Sequence, residues 1–102
     1  MSTRPWMALY VRDFLLDTLE LDAAEVGIYM TLLMLMWQRD DAALPNDLGW
    51  LQATLKRCRA RLHGHEFKRV VPRLLERYFQ LGEDGKWRNK RLTNERQIAD
   101  KR

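Results

Sequence analysis

Apolar residues recur at helical spacing along much of this chain, and most of the stretches are bounded by residues that start or stop helices. The longest such stretch runs from Ala23 to Arg39, where Val26, Tyr29, Met30, Leu33 and Trp37 form one stripe. Ile28, Leu32, Leu35 and Met36 cover much of the remaining circumference. A helix apolar on most sides is either the centre of a core or shared with a partner. The second choice predicts a homodimer contact through Ile28, Leu32, Leu35 and Met36. Asp22 precedes the stretch and Glu25 follows three residues later, a variant of the capping box. Gly27 costs a helix about 1 kcal/mol against alanine, so it predicts a close approach by another backbone.

Upstream, Met1 to Pro5 reads as a loose tail and Trp6 to Tyr10 as an extended segment. Asp13 is expected to cap a short helix from Phe14 to Leu19. Downstream, Asp40 to Pro45 reads as a linker. Asn46 is the expected cap of a third helix carrying Leu48, Leu51 and Leu55 on one face with Trp50 beside them, until Gly64 breaks it. A fourth helix is predicted from His65 to Arg77 or Tyr78, because Phe67, Val70, Val71, Leu74 and Tyr78 fall at i, i+3, i+4, i+7 and i+11. Pro72 lies inside it; lacking an N–H and crowding the carbonyl of Lys68, it predicts a kink or a break.

Phe79-Gln80-Leu81 then reads as a strand, Gly82-Glu83-Asp84-Gly85 as a hairpin turn, and Lys86 to Leu92 as the returning strand. Its alternation puts Trp87 on one face and Lys86, Arg88 and Lys90 on the other. Residues 93–102 read as a polar tail or a frayed helix. The expected fold is therefore mainly α with a small β-hairpin, in the order of a winged helix-turn-helix. It spans residues 6–92, with tails at 1–5 and 93–102. Trp37, Leu33, Tyr29, Leu51, Phe67, Val70, Leu74 and Trp87 are expected to share one core.

A chain of 102 residues buries roughly two-thirds of its surface on folding, enough for one modest core. Hydrophobic residues at 46% and charged residues at 31% are a globular balance, not a disordered one. The single cysteine, Cys58, excludes an internal disulfide and suits a reducing cytosol. No signal-peptide pattern opens the chain, and the apolar run from Ile28 to Trp37 is too short to span a bilayer. The expectation is a cytoplasmic protein with no membrane partner.

Charge changes the picture further. Residues 1–55 hold three basic and eight acidic side chains, whereas residues 56–102 hold fifteen basic and six acidic. Such segregation suggests a polyanion partner for the second half; a solvated basic face is the plainer reading. In a winged helix the helix after the turn enters the major groove and the hairpin touches phosphates or the minor groove. The predicted DNA-contacting residues are His65, Lys68, Arg69, Arg73 and Arg77 on that helix. Lys56, Arg57, Arg59 and Arg61 precede it, and Lys86, Arg88 and Lys90 lie on the hairpin. Arginine can pair with guanine in bidentate fashion or neutralise a phosphate.

Other chemistry is weakly signalled. Cys58, His63 and His65 supply three candidate metal ligands without a paired-cysteine spacing, where structural zinc usually takes four. Asp13 and Asp17, spaced i, i+4, and Glu20 coincide with helix starts, where carboxylates cap backbone donors. There is no glycine-rich phosphate loop and no nucleophile with a base nearby in sequence. Neither enzyme activity, nor a cofactor, nor a metal is expected. The competing reading, from another class, is a protein-interaction module that docks through acidic residues 13–25 and the apolar helix.

The run from Trp6 through Thr18, then Leu21-Asp22-Ala23-Ala24-Glu25-Val26-Gly27-Ile28-Tyr29, Leu32-Leu33, Met36-Trp37 and Leu44-Pro45-Asn46-Asp47, resembles the YdaU-like family of phage and prophage proteins, a domain of unknown function. Phe67-Lys68-Arg69 with Pro72, and Gly85 through Leu92, continue the resemblance over nearly the whole chain. The family is similar to the N-terminal winged-helix domains of phage replication initiators. The resemblance thus implies duplex-DNA binding in a bacterial host, in replication initiation or transcription control, with a replication or transcription protein as a further partner. Lys56 to His63 is longer and more basic than the family's usual short turn. Initiator-like relatives often continue past the wing into a helicase-contacting region. If the present chain is the natural length, a compact regulator is the expectation.

Overall fold

The computed structural model describes residues 6–58 and 62–101. Its elements run α1 (Val11–Asp17), α2 (Ala23–Gln38), β1 (Leu44–Pro45), α3 (Leu48–Cys58), α4 (Gly64–Tyr78), β2 (Gln80–Leu81), β3 (Lys86–Arg88) and α5 (Lys90–Asp100). The expected tail at residues 1–5 and the candidates Arg59 and Arg61 lie outside the described residues.

The capping box sets the start of α2. The Glu25 amide donates to Asp22 Oδ1 at 2.8 Å, and the Asp22 amide donates to Glu25 Oε1 at 3.0 Å, so two orphan donors of the first turn are satisfied reciprocally. From there α2 runs through the middle of the molecule and packs against α4 and α5. Leu32 and Met36 are wholly buried, with Leu51 and Leu55 of α3 and Val71 of α4. Each such side chain contributes roughly 1.5–3 kcal/mol by leaving water. Tyr29 stacks on Tyr78 at 4.5 Å and on Phe14 at 5.7 Å, and meets Phe79 edge-on at 5.9 Å. The expected core is present, with Trp87 half-buried at its margin.

This arrangement corrects the homodimer contact expected on α2. Ile28, Leu32 and Met36 are buried by the chain's own helices, and Leu35 is half-buried against the same core. One chain covers this helix on most sides, so these residues offer no face to a second copy. Gly27 is corrected too: it faces solvent, and a Cβ built on it meets nothing within 4 Å.

Several boundaries also move. α1 starts at Val11, with Asp13 inside its first turn and no side-chain cap. Asp47, not Asn46, caps α3: its Oδ1 accepts from the Trp50 amide at 3.0 Å. α4 runs through Pro72 as one helix. The supposed linker contains β1, which pairs antiparallel with β3 through Leu44–Trp87 and Pro45–Lys86. β2 lies on the other side of β3, so the sheet order is β1-β3-β2. Gly85, at φ +75°, takes the left-handed position that turns the β2–β3 hairpin.

The returning strand ends at Arg88 rather than Leu92, because Asn89 starts a helix. Its Oδ1 accepts from the Leu92 amide at 3.0 Å, and its Nδ2 donates to the Tyr78 carbonyl at 2.9 Å. Lys90 therefore opens α5 and does not share a strand face with Lys86 and Arg88. Residues 93–100, expected as a polar tail or a frayed helix, are helical and are packed through Arg96. Arg96, only 4% exposed, donates from Nη1 to the carbonyls of Trp37 and Arg39 at 2.9 Å each, and from Nη2 to that of Asp40 at 3.2 Å. Its guanidinium also lies over the Trp37 ring at 5.4 Å.

Two stability outcomes follow from these contacts. Arg96→Met removes the fork but keeps the stem, and should lower unfolding free energy by about 3 kcal/mol in urea titration. Arg96→Lys should recover less than half of that, since an ammonium cannot span three carbonyls. A loss under about 1 kcal/mol for the methionine variant would mean that water satisfies these carbonyls equally well. Gly27→Ala, with open space for its methyl group, should raise stability by about 0.5–1 kcal/mol in the same assay.

Candidate functional site

α4 carries its apolar residues inward and its basic residues outward. Phe67, Val70, Val71, Leu74 and Leu75 are buried, which leaves His65, Lys68, Arg69 and Arg73 exposed on the other side. None of Lys68, Arg69 or Arg73 forms an ion pair among the described residues. Lys56 and Arg57, in the last turn of α3, are exposed as well. They are suited to the C-terminal end of that helix, where carbonyl dipoles favour cations. Gly64, which opens α4, sits near the Gln52 side chain of α3, so the two helices meet at this turn.

The other predicted contact residues behave differently, because acids from the first half of the chain reach them. Arg77 Nη1 lies 2.7 Å from Glu20 Oε2 in the turn after α1. This contact, chiefly the Glu20 hydrogen bond, holds the Arg77 guanidinium even more firmly protonated than usual. Lys86 Nζ donates to Asp41 Oδ2 at 2.7 Å. Arg88 donates from Nη1 and Nη2 to the two oxygens of Asp84 at 3.1 and 2.8 Å, a fork-to-carboxylate pair inside the hairpin. Lys90 is exposed at the start of α5 and borders the same cleft as Arg77 and Tyr78. His65, Lys68, Arg69 and Arg73 share the exposed side of α4, and Lys56 and Arg57 are exposed in the last turn of α3. The structure ties Arg77, Lys86 and Arg88 into internal pairs.

The carboxylates in the hairpin respond accordingly. Arg88's hydrogen bonds hold Asp84 below the usual carboxylate range, against a small opposing effect of burial. At Asp41 burial alone pushes the carboxyl up. The Lys86 ammonium, the Ala43 amide and the Arg39 charge outweigh it and leave the group below its ordinary 3.8.

Sequence reasoning missed two groups that shape this surface. Asp41 lay in the supposed linker, and only its proximity to a strand pairing could have marked it. Arg91 reaches back to Asp17 at 3.1 Å, and the Tyr78 hydroxyl donates to the Asp17 carbonyl at 2.7 Å. A cleft of about 440 Å³ opens there, bordered by Leu16, Tyr29, Asn89 and Lys90 among others. Burial raises the Tyr29 phenol beside it above its ordinary value, with Asn89's hydrogen bond opposing. His63 and His65 stack at 5.7 Å, but no group of three or more potential metal ligands gathers among the described residues. No helix among the described residues is long and apolar enough to cross a membrane.

The fold and its surface define a small, mainly helical domain with a three-stranded antiparallel sheet and a basic outer helix face. Residues 5–97 match the family described as protein of unknown function DUF1376, and the chain belongs to it. The chain is 33% identical over 84 residues to the uncharacterized protein YdaU of Escherichia coli strain K12. That overlap takes in 82% of this chain and 27% of the relative, so the chain spans about a quarter of that protein's length. No solved structure matches the chain.

The Asp41–Lys86 pair gives a pH test. A carboxyl whose folded pKa is depressed adds stability that is complete above its unfolded pKa and disappears as pH falls through the folded value. Asp41→Asn should therefore be less stable than the parent at neutral pH, with a constant difference down to about pH 5. The gap should close below the ordinary carboxylate value of 3.8, as seen in thermal unfolding from neutral to strongly acid pH. A gap that persists unchanged through acid pH would show that the asparagine loses packing rather than charge.

Proposed function

We propose that this protein is a winged-helix domain that binds duplex DNA, with α4 as the helix presented to the major groove. The winged-helix reading is supported by the order α2-β1-α3-α4-β2-β3 and by a hairpin whose β3 is flanked by β1. The observation that carries the DNA reading is selective pairing. Acids neutralise Arg77, Lys86 and Arg88, while Lys68, Arg69 and Arg73 on the outer face of α4 keep their charge unpaired among the described residues. A solvated basic face with no partner would gain from the same local pairing that the hairpin shows.

In this reading Lys56, Arg57, Lys68 and Arg73 meet phosphates, and Arg69 reaches base edges from near the middle of the exposed arc. The resemblance of the YdaU-like family to replication-initiator domains supports replication initiation or transcription control as the process served. A protein-interaction role for acidic residues 13–25 is the second reading. The exposed leucines of α1 favour it, although the buried α2 no longer contributes.

A fluorescence-anisotropy titration with duplexes at several salt concentrations tests the proposal. Four or five neutralised phosphates give a log–log salt slope near roughly −4. Lys68→Ala should flatten that slope by about one unit for all sequences. Arg69→Ala should cost about 1–3 kcal/mol and blur discrimination at one or two base pairs. Lys86→Ala, whose ammonium is already held by Asp41, should change affinity little. If the parent has no measurable affinity for any duplex at low salt, the interaction-module reading replaces this one.

A further inference from the structure

The β2–β3 hairpin springs directly from the C-terminal end of α4: Phe79 caps the helix and β2 opens at Gln80. Asp84 sits in its turn and is fixed there, because its Oδ1 accepts from the Lys86 amide at 3.2 Å. From that position it takes both arms of the Arg88 fork, at 3.1 and 2.8 Å. The turn is closed by the Gly82 amide, which donates to the Lys86 carbonyl at 2.8 Å, and by the Gly85 amide, which donates to the Gly82 carbonyl at 3.1 Å.

Gly82 shows that the sequence makes room for this pair. Unlike Gly85, it has no left-handed φ, so its backbone does not call for glycine. A Cβ built on it would lie 2.8 Å from Asp84 Oδ1 and 3.1 Å from Arg88 Nη1. The space left by the missing side chain is where the carboxylate and the guanidinium meet. The surrounding charges act in the same direction. Glu83, beside Asp84, is exposed and forms no ion pair among the described residues. Asp41 holds Lys86. Three acids, Asp41, Glu83 and Asp84, thus meet the two bases of the hairpin, Lys86 and Arg88.

We propose that Asp84 restrains DNA affinity by positioning Arg88 away from the phosphate backbone, with Glu83 adding to the repulsion. The inference rests on the DNA reading of α4 and deepens it: the hairpin sets how tightly the domain binds through a contact that it withholds. The half-exposed pair is easily opened, but opening it does not remove the acid. A phosphate that approaches Arg88 displaces a carboxylate that the Lys86 amide keeps in place, and two anions then share one guanidinium. Such repulsion is little screened within about 10 Å at 0.1 M salt.

Fluorescence anisotropy with one duplex, over roughly 50–200 mM salt, tests this on the full chain. Asp84→Asn keeps an oxygen for the Lys86 amide and loses the charge. It should bind about three- to tenfold more tightly at ~50 mM salt, with a log–log slope steeper by about one unit, because the freed guanidinium neutralises one further phosphate. Adding Arg88→Met to Asp84→Asn should return the slope to the parent's. Glu83→Gln breaks no hydrogen bond or ion pair among the described residues and should tighten binding about twofold at an unchanged slope. Asp13→Asn, the same change of net charge on α1, should leave affinity as it is. A parent that binds while Asp84→Asn is no tighter and no steeper overturns this inference and leaves the DNA reading standing. A steeper slope that survives in the double variant also overturns it, since Arg88 is then not its source. If Asp84→Asn loses the fold, Glu83→Gln decides, and affinity equal to the parent's overturns the proposal. A parent without affinity for any duplex overturns the DNA reading and this inference together.

Discussion

One buried guanidinium decides where the chain goes after its central helix. α2 ends with carbonyls that have no intrahelical donor, as any helix must. Glycine is the usual remedy, and this helix has none at its end. Arg96 arrives from α5, far along the chain, and donates to the carbonyls of Trp37, Arg39 and Asp40. Its positive charge suits the negative end of the helix, and its plane lies over Trp37. With that exit fixed, the turn through Ala42, at φ +52°, delivers Leu44 to the edge of β3. The sheet, the hairpin and the position of α4 between them all inherit that direction.

The same exit loop carries Asp41, so the contact that fixes the backbone also delivers a carboxylate to the hairpin. Lys86 is held there, Arg77 is held by Glu20, and Arg91 by Asp17. Each pair joins a base from the second half of the chain to an acid from the first. Part of the charge segregation visible in the sequence is thus the two halves recognising each other. These are exposed or half-exposed pairs, each worth little in stability. Their larger consequence is spatial: they remove positive charge from the hairpin and from the C-terminal end of α4, and leave it along the rest of that helix.

The sequence made α2 and α4 legible because both are long, strongly patterned and bounded by recognisable residues. Asp22 and Glu25 formed the reciprocal cap that their spacing implies, and Phe67, Val70, Val71 and Leu74 turned inward together. β1 was not legible, because two residues cannot display a strand's alternation and Pro45 reads as a break. α5 was hidden for another reason: its one large apolar inward residue is Leu92, and its other buried anchor is an arginine, which pattern reading assigns to solvent. The basic face of α4 could be read from periodicity, whereas its separation from the paired bases of the hairpin could not. Asp84 pairs with Arg88 locally, inside the hairpin, but the rest of the separation depends on where Glu20 and Asp41 fold, and their positions are tertiary facts. The apolar side chains left exposed lie mostly on and around α1, not on α2 as the pattern suggested. One chain, through α4 and α5, covers α2 after all, while α1 is too short to bury its own leucines.

α1 and α4 are joined more closely than their separation in sequence suggests. Glu20, at the end of α1, grips Arg77 near the end of α4, and Asp17 engages both Tyr78 and Arg91. α1 and the turn after it are therefore anchored to the helix proposed to face DNA. Acids surround that joint, so a phosphate backbone is disfavoured at the α1 end of α4 and favoured toward the α3–α4 turn, where Lys56, Arg57 and Lys68 lie. On the proposed reading, electrostatics gives the domain a direction: a duplex would approach from the turn.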